Sequence, residues 1–189
     1  MSKLYALFDY ELNSKKKKTL FEFISVCKKL DAKVIQYRDK VSDIDTKIQN
    51  LIELKSSFEG QVLVNDDVDL AIFCDGVHLG QEDLAKIASD FKTAVKKIRD
   101  QIGKKTIGLS THDKDEILLA NTLDIDYIGL GAYRQTSTKK DIRDVLGESV
   151  KELASLSTHP VAVIGGVKVD DEIDFAQYKV VGSDLYLYY

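Results

Sequence analysis

The stretch TIGLSTHDKDEILLANTLDIDYIGL, residues 106–130, indicates the fold. It contains two short apolar runs, Thr106–Leu109 and Tyr127–Leu130, and a segment with helical spacing of apolar residues between them, Asp113–Thr122. A helix between two short apolar strands is typical of a parallel sheet, because parallel neighbours need a crossover connection. This stretch therefore predicts one βαβ unit.

The same alternation extends over the whole chain. We predict eight strands, at Leu4–Phe8, Val34–Tyr37, Val62–Val64, Gly76–Leu79, Thr106–Leu109, Tyr127–Leu130, Val161–Ile164 and Leu185–Tyr188. Helical segments are predicted at Thr19–Leu30, Asp43–Phe58, Val68–Cys74, Leu84–Gln101, Asp113–Thr122, Glu148–Leu156 and Val169–Tyr178. The first strand is followed by Asp9-Tyr10-Glu11 rather than by a glycine-rich phosphate loop. This pattern favours a closed (β/α)8 TIM barrel of the α/β class over an open sheet, and we predict a single domain over residues 1–189.

Composition narrows the class of protein. Of the 189 residues, 44% are hydrophobic and 31% are charged, which is typical of one globular domain. The formal net charge is −4, whereas a nucleic-acid-binding domain carries a basic excess, so no nucleic-acid partner is expected. No apolar run approaches the roughly 20 residues of a membrane span, and no signal peptide is recognised, so we expect a cytoplasmic protein with no membrane partner. Cys27 and Cys74 each lie in an apolar run and are predicted to be reduced core residues.

The length bears on the predicted barrel, because (β/α)8 barrels usually take about 250 residues. The predicted eighth strand, Leu185–Tyr188, stands at the end of the sequence. We therefore expect a C-terminally truncated barrel that lacks the last helix. Apolar surface left uncovered by that helix would favour pairing, which makes a homodimer possible.

In a parallel barrel the active site lies at the carboxyl ends of the strands, so the residues that follow each apolar run are the candidates. The second run leads into Gln36-Tyr37-Arg38-Asp39-Lys40, in which strand alternation places Gln36, Arg38 and Lys40 on one face. An amide and two cations at a strand end can bind a phosphate group. The alternative is a surface ion-pair cluster with Asp39.

Carboxylates follow the next two strands. Asn65-Asp66-Asp67 comes after the third run, and Asp83 closes the segment after the fourth. Mg²⁺ binds one or two carboxylates together with waters and substrate phosphate oxygens, so these residues can share one cation. The alternative is helix capping, since Asp67 and Asp83 each precede a predicted helix.

Later strand ends add hydroxyls, a histidine and glycines. The fifth run ends in Ser110-Thr111-His112, where His112 is placed as a proton-transfer group or, alternatively, as a structural histidine. His78 is predicted to be packed or hydrogen-bonded. The long loop after the sixth run, residues 131–141, carries hydroxyls and lysines that suit an anionic ligand, and Gly165-Gly166 allows backbone N–H groups to approach a phosphate. Together these features indicate metal-assisted handling of a phosphorylated or pyrophosphorylated small molecule.

The sequence resembles the thiamine phosphate synthases and the related thiazole tautomerases. The matching segments, in order, are residues 36–40, 64–71, 75–83, 107–112, 126–131, 136–141 and 160–167. The resemblance implies a (β/α)8 barrel that joins hydroxymethylpyrimidine pyrophosphate to a thiazole phosphate and releases pyrophosphate by a dissociative mechanism with Mg²⁺ as the cofactor. The partners that it implies are these phosphorylated pyrimidine and thiazole substrates.

The resemblance also implies roles for individual residues. The pyrophosphate contacts would be Gln36, Arg38, Lys40, Asn65 and Lys139. Asp66 and Asp83 would hold Mg²⁺, and Ser110 would face the pyrimidine and the leaving oxygen. Thr136 and Thr138, with the backbone at Gly165 and Gly166, would bind the thiazole phosphate.

Two other functions remain open at this stage. Tautomerases use a histidine at the position of His112 for proton transfer but generally lack the full Gln-x-Arg-x-Lys set, which is present here at residues 36–40. A non-catalytic barrel that binds thiamine-related phosphates is the third reading. The chain departs from the family at Ala132, where proline is usual, and at Arg134, where an aromatic residue is common.

Overall fold

A computed structural model of the chain describes residues 1–135 and 145–189. Its eight strands are β1 (Lys3–Asp9), β2 (Val34–Arg38), β3 (Gln61–Asn65), β4 (Gly76–Leu79), β5 (Thr106–Thr111), β6 (Tyr127–Leu130), β7 (Val161–Val163) and β8 (Tyr178–Val181). They form a closed barrel in sequence order, and every neighbouring pair is parallel. The barrel closes where β8 pairs with β1, from Lys3 opposite Tyr178 to Ala6 opposite Val181. The predicted (β/α)8 barrel is confirmed.

Seven α-helices lie within the described residues: α1 (Tyr10–Lys15), α2 (Leu20–Lys29), α3 (Ile44–Ser57), α4 (Gln81–Ile87), α5 (Phe91–Ile102), α6 (Lys114–Ala120) and α7 (Ser149–Ala154). Two short 3-10 helices, Asp69–Phe73 and Ser183–Leu187, complete the set. None of these helices is long and apolar enough to cross a membrane.

Side-chain caps begin most of the helices. Asp9, Asp43, Asp90 and Asp113 each accept a hydrogen bond from a backbone N–H of the first turn of α1, α3, α5 and α6. Thr19 begins α2 with a reciprocal capping box. These short polar residues are favoured at helix starts because they satisfy amide groups that have no partner within the helix.

The core has two layers, which follow from strand alternation. One layer lies between the strands and the helices and contains outward-facing strand residues such as Phe8, Tyr37 and Ile128 together with the apolar faces of the helices. The other fills the barrel interior and contains Tyr5, Leu63 and Tyr127. Cys27 and Cys74 are free thiols in the outer layer, as predicted.

Three predicted elements are wrong. The eighth strand is Tyr178–Val181, and most of the predicted strand Leu185–Tyr188 lies in the 3-10 helix Ser183–Leu187. The predicted helix Leu84–Gln101 is two helices, because α4 ends at Ile87 and Asp90 caps a new helix.

The predicted helix Val169–Tyr178 does not form. Backbone groups that a helix would use there are bound to side chains instead. The amide of Val169 donates to Asp184, at 2.9 Å. Lys179 donates to the carbonyls of Val169 and Asp171. Asp171 itself accepts from the amide of Lys168. These contacts hold the segment in an irregular conformation that leads into β8.

Candidate active site

The first cation of the site is oriented by a buried carboxylate at the end of β1. Arg38, the last residue of β2, donates from Nη1 to Asp9 Oδ2 at 2.5 Å. Asp9 is only 5% exposed, and its other oxygen accepts from the amide of Leu12 at 2.9 Å, so one side chain caps α1 and holds the guanidinium. The alternative of an ion-pair cluster with Asp39 is wrong, because Asp39 is bound to the hydroxyl of Tyr37 and to loop amides.

The second cation meets the two carboxylates that the sequence singled out. Lys40 donates to Asp66 Oδ2, and Asn65 Nδ2 donates to Asp66 Oδ1 at 2.6 Å. Burial raises the pKa of Asp66; Lys40 opposes this rise and Asp83, which lies beside Asp66, adds to it. Asp66 also has a left-handed backbone, with φ of 64°. A non-glycine residue in that region is strained, and such strain is common at functional sites.

Asp83 serves two purposes. Its Oδ2 accepts from the amide of Gly80 at 3.0 Å and so caps α4, while Oδ1 accepts from Lys86 at 2.9 Å. Burial alone would raise the pKa of Asp83, but the hydrogen bonds from Lys86, Gly80 and Asp66 lower it below its usual range. The capping alternative is therefore correct for Asp83, and it coexists with a place beside Asp66.

The pair of carboxylates is suited to a hard cation. Mg²⁺ takes oxygen ligands and keeps several waters, so it needs only one or two protein carboxylates. Asp66 and Asp83 supply these from neighbouring strand ends. Within residues 1–135 and 145–189, no group of three or more potential ligands surrounds a common point. The donor set fits Mg²⁺ bound jointly with a phosphorylated ligand.

Gln36 and Ser110 are connected through the barrel interior. Gln36 Nε2 donates to the hydroxyl of Tyr5 at 2.6 Å, and that hydroxyl lies 2.9 Å from the hydroxyl of Tyr127. Tyr127 Oη is 2.8 Å from Nδ1 of His78, whose Nε2 is 2.9 Å from Ser110 Oγ. The prediction that His78 is hydrogen-bonded is confirmed. The structure thus joins two of the predicted site residues through three buried side chains.

Gly165 and Gly166 form a concave backbone turn after β7. Their φ angles are 95° and 65°, and a Cβ on either would lie 2.8 Å from Ala132 or Arg134. Their carbonyls accept from the backbone N–H and the guanidinium of Arg134. No acceptor in the described ranges is bonded to the amides of Gly165 and Gly166. Successive amides in such a turn form a recognised anion site.

His112 has its partner outside the hydrogen bonds described above. It is about half exposed, and its Nδ1 lies 2.9 Å from Glu116 Oε2 on α6. Thr136, Thr138 and Lys139 fall in residues 136–144, outside the described residues.

Sequence reasoning missed Asp9, Tyr5, Tyr127 and Asp171. Tyr5 and Tyr127 lie at inward positions of β1 and β6, so a polar aromatic residue facing a barrel interior was the available signal. For Asp9 the sequence shows only a non-glycine residue after the first strand. Asp171 accepts two hydrogen bonds from the guanidinium of Arg134, and no local pattern marks it as that partner.

The fold and this rim of charged and amide groups define a (β/α)8 barrel of the class that handles phosphorylated small molecules at the carboxyl ends of its strands. Comparison with known proteins specifies the class further. Residues 4–182 match the family model described as thiamine monophosphate synthase. The chain belongs to the thiamine monophosphate synthase family.

Curated relatives agree with this assignment. The chain is 36% identical over 172 residues to the thiamine-phosphate synthase of Lawsonia intracellularis, which covers 87% of this chain and 74% of the relative. It is 31% identical to that of Ruminiclostridium cellulolyticum, over 95% of this chain and 83% of the relative. With the thiamine-phosphate synthase of Persephonella marina the identity is 39%, but the match spans only 64% of that protein, slightly under two thirds.

Solved structures support the fold. A thiamine phosphate pyrophosphorylase from Pyrococcus furiosus superposes with a TM-score of 0.73 at 23% identity, over 96% of this chain and 85% of that one. A truncated 3-deoxy-D-arabino-heptulosonate 7-phosphate synthase from Thermotoga maritima has a TM-score of 0.63 at 16% identity, over 96% of this chain and 74% of that one. Both are similar barrels.

Proposed function

We propose that this chain is a thiamine phosphate synthase, a transferase that joins hydroxymethylpyrimidine pyrophosphate to thiazole phosphate. One observation carries the proposal: Lys40, Asp66 and Asp83 lie together at the carboxyl ends of the strands. A pyrophosphate leaving group needs neutralisation by cations, and this group supplies a lysine and two carboxylates that can hold a metal.

In the proposed reaction the bond between the pyrimidine methylene carbon and the pyrophosphate oxygen breaks first. The electron pair leaves with the pyrophosphate, and the thiazole nitrogen then donates its lone pair to the resulting carbocation. Arg38, which Asp9 holds in place, and Lys40 bind the departing pyrophosphate with Gln36, Asn65 and Lys139. Mg²⁺ held by Asp66 and Asp83 would supply Lewis-acid stabilisation of that negative charge. A dissociative step depends more on preorganised cations than on a strong base.

The second substrate would bind through its phosphate. The amides of Gly165 and Gly166 supply donors without a side chain in the way, and Thr136 and Thr138 would add hydroxyls. This arrangement would place the thiazole next to the wall formed by β6 and β7, on the opposite side of the barrel from Arg38 on β2.

The test is a reconstitution with the purified full chain, both substrates and Mg²⁺, followed by chromatographic measurement of thiamine phosphate. We expect product that depends on Mg²⁺. Arg38→Ala should cost about 2–4 kcal/mol of transition-state stabilisation, the usual effect of removing one preorganised donor. The matched control is Lys33→Ala, because Lys33 precedes β2 at the opposite end of the barrel and pairs with Asp31. No product above background with the wild-type chain would refute the proposal.

One observation favours a second candidate, a thiazole tautomerase. His112 pairs with Glu116, and a histidine beside a carboxylate is suited to proton transfer. The wild-type chain would then isomerise thiazole carboxylate phosphate, and His112→Asn would abolish that reaction. Isomerisation that is absent from the wild type excludes this candidate.

We also propose that the enzyme works in the cytoplasm on small molecules, without nucleic acid, and that it forms a homodimer. Phe21 and Leu187, which are 70% and 79% exposed, are apolar groups that a partner copy could cover. Size-exclusion chromatography with light scattering measures the molar mass directly. A monomer mass at micromolar concentration would contradict the dimer.

A further inference from the structure

The chain of hydrogen bonds from Gln36 to Ser110 is enclosed in the barrel interior. Gln36 and His78 are among the few buried polar side chains of the described residues, and Tyr5 and Tyr127 are 1% and 5% exposed. Four contacts between 2.6 and 2.9 Å link the five side chains. Buried polar groups are costly unless every member is paired, so an uninterrupted chain of this kind is expected to have one preferred arrangement of hydrogens.

Two glycines make space for it. A Cβ on Gly129 would lie 2.9 Å from His78 Cε1, and a Cβ on Gly108 would lie 2.2 Å from Tyr127 Cζ. The phenol ring and the imidazole therefore occupy space that a side chain at position 108 or 129 would block. With the rings fixed, what remains variable is the placement of the hydroxyl hydrogens and of the hydrogen on the His78 ring.

The bond from Gln36 favours one direction for the rest. The amide nitrogen of Gln36 can only donate, so the hydroxyl of Tyr5 accepts from it. The arrangement that leaves neither buried hydroxyl hydrogen without an acceptor then directs the hydrogen of Tyr5 to Tyr127 and the hydrogen of Tyr127 to Nδ1 of His78. Burial raises the pKa of both tyrosines, so both keep their hydrogens.

The direction of the hydrogen bonds also determines the role of Ser110. Because Nδ1 of His78 accepts, the neutral imidazole carries its hydrogen on Nε2 and donates it to Ser110 Oγ. The hydroxyl of Ser110 therefore has its own hydrogen left to donate elsewhere. The backbone carbonyl of Ser110 is bound separately by Gln81, at 2.7 Å, which fixes the main chain at this point.

We propose that Tyr5, Tyr127 and His78 are positioning residues. Tyr5 and Tyr127 hold His78 in the Nε2-protonated form, and His78 directs the hydroxyl hydrogen of Ser110 toward the bound pyrimidine substrate. The catalytic part of this inference rests on the proposed function. In that reaction Ser110 would donate its hydrogen bond to the oxygen that leaves with the pyrophosphate. No proton is transferred along the chain, and no covalent bond to the protein forms.

The first test is independent of activity. The chain has three histidines, so ¹⁵N-histidine labelling of the substrate-free protein gives few signals, and His78→Gln identifies those of His78. We expect Nε2 of His78 to show the chemical shift of a protonated nitrogen and Nδ1 that of an unprotonated one. An Nδ1-protonated ring, an imidazolium or a rapidly exchanging mixture would overturn the proposal.

The second test uses hydroxyl deletions at matched tyrosines. Tyr127→Phe removes one link and should lower kcat about tenfold, the effect of losing one buried hydrogen bond, with little change in KM. Tyr178→Phe is the control, because Tyr178 contacts the rings of Tyr5 and Tyr127 but, among the described residues, its hydroxyl makes no hydrogen bond to the chain. An equal loss in both variants, with equal melting temperatures, would contradict the assignment.

The third measurement asks whether the effect passes through Ser110. In a Ser110→Ala background, Tyr127→Phe should cause no further loss of kcat, because the group that it orients is already gone. A full additional tenfold loss would show that Tyr127 acts by another route. If the wild-type chain forms no product, the proposed function fails while the tautomer of His78 still decides this inference.

Discussion

The guanidinium of Arg134 donates two hydrogen bonds to the carboxylate of Asp171, from Nη1 to Oδ2 at 2.6 Å and from Nη2 to Oδ1 at 3.0 Å. This pair connects the loop after β6 to the segment after β7. Nη1 also donates to the carbonyl of Gly166, and the backbone N–H of Arg134 donates to the carbonyl of Gly165. Arg134 therefore binds both carbonyls of the glycine turn, one through its side chain and the other through its backbone N–H.

Breaking this pair should weaken binding of the thiazole phosphate more than that of the pyrimidine pyrophosphate. We expect Arg134→Ala to raise KM for thiazole phosphate about tenfold, because the glycine turn loses its support, with less than a twofold change in the other KM. The double variant Arg134→Asp with Asp171→Arg should recover part of the loss. Equal effects on both substrates, measured by steady-state kinetics, would contradict a local role for the pair.

The same pair predicts that the stability of the fold decreases at acidic pH. Burial favours the neutral form of Asp171, but the bonds from Arg134 and the amide of Lys168 outweigh it and hold the pKa of Asp171 below its ordinary value. A carboxylate with a lowered pKa stabilises the fold above its unfolded pKa, near 4, and this contribution is lost as the pH falls through the folded value. Melting temperatures of wild type and Arg134→Ala should thus differ most at pH 6 to 7, and the difference should shrink as the pH falls below 4.

Asp9 is expected to combine a structural and a functional effect. Asp9→Ala removes the cap of α1, which typically costs about 1 kcal/mol, and it frees Arg38 from its partner. The matched control is Asp43→Ala, since Asp43 caps α3 through Thr46 and does not contact the site. Chemical denaturation should show a loss of stability in both variants. Only Asp9→Ala should lower kcat/KM, and an equal loss in the control would contradict this role.

The carboxylate pair predicts a dependence on the metal concentration. Asp66→Asn and Asp83→Asn should each raise the Mg²⁺ concentration for half-maximal activity by about tenfold or more, because each removes one of the two proposed anionic ligands. Asp69→Asn is the control, because Asp69 lies on the nearby 3-10 helix and binds Gln101. Titration calorimetry with Mg²⁺ and pyrophosphate checks the same point without turnover. Unchanged Mg²⁺ affinity in both site variants would exclude the pair as the metal site.

Much of the barrel could be predicted because its units are local. The segment at residues 106–130 shows a strand, a helix and a second strand within 25 residues, and no distant contact is needed to recognise them. The error at Val169–Tyr178 has a non-local cause, since the partners of that segment include Arg134 and Asp184. Likewise β8 is defined by its pairing with β1 at the other end of the chain, while its own four residues carry little pattern.

The candidate site also has a part that the local sequence indicates and a part that depends on distant residues. Gln36, Arg38, Asn65, Asp66 and Ser110 could be selected as candidates because they lie in or directly after the carboxyl-terminal halves of strands, and parallel strands bring those ends to one rim. What each side chain touches could not be predicted. Arg38 is bound by Asp9 rather than by adjacent Asp39, and Ser110 by His78 rather than by nearby His112. Strand register and the barrel's closure decide these pairs, and neither can be read from one segment.

Two glycines with the same backbone angle allow strain to be separated from binding. Gly166 and Gly103 have φ of 65° and 64°, but a Cβ on Gly166 would lie 2.8 Å from Arg134 Cβ, while nothing lies within 4 Å of one on Gly103. Alanine at either position should be destabilising, because a positive φ disfavours a residue with a Cβ. Only Gly166→Ala should also displace Arg134 and raise KM for thiazole phosphate. If Gly103→Ala raises that KM equally, the change reports general loss of stability, and the glycine turn is not the phosphate site.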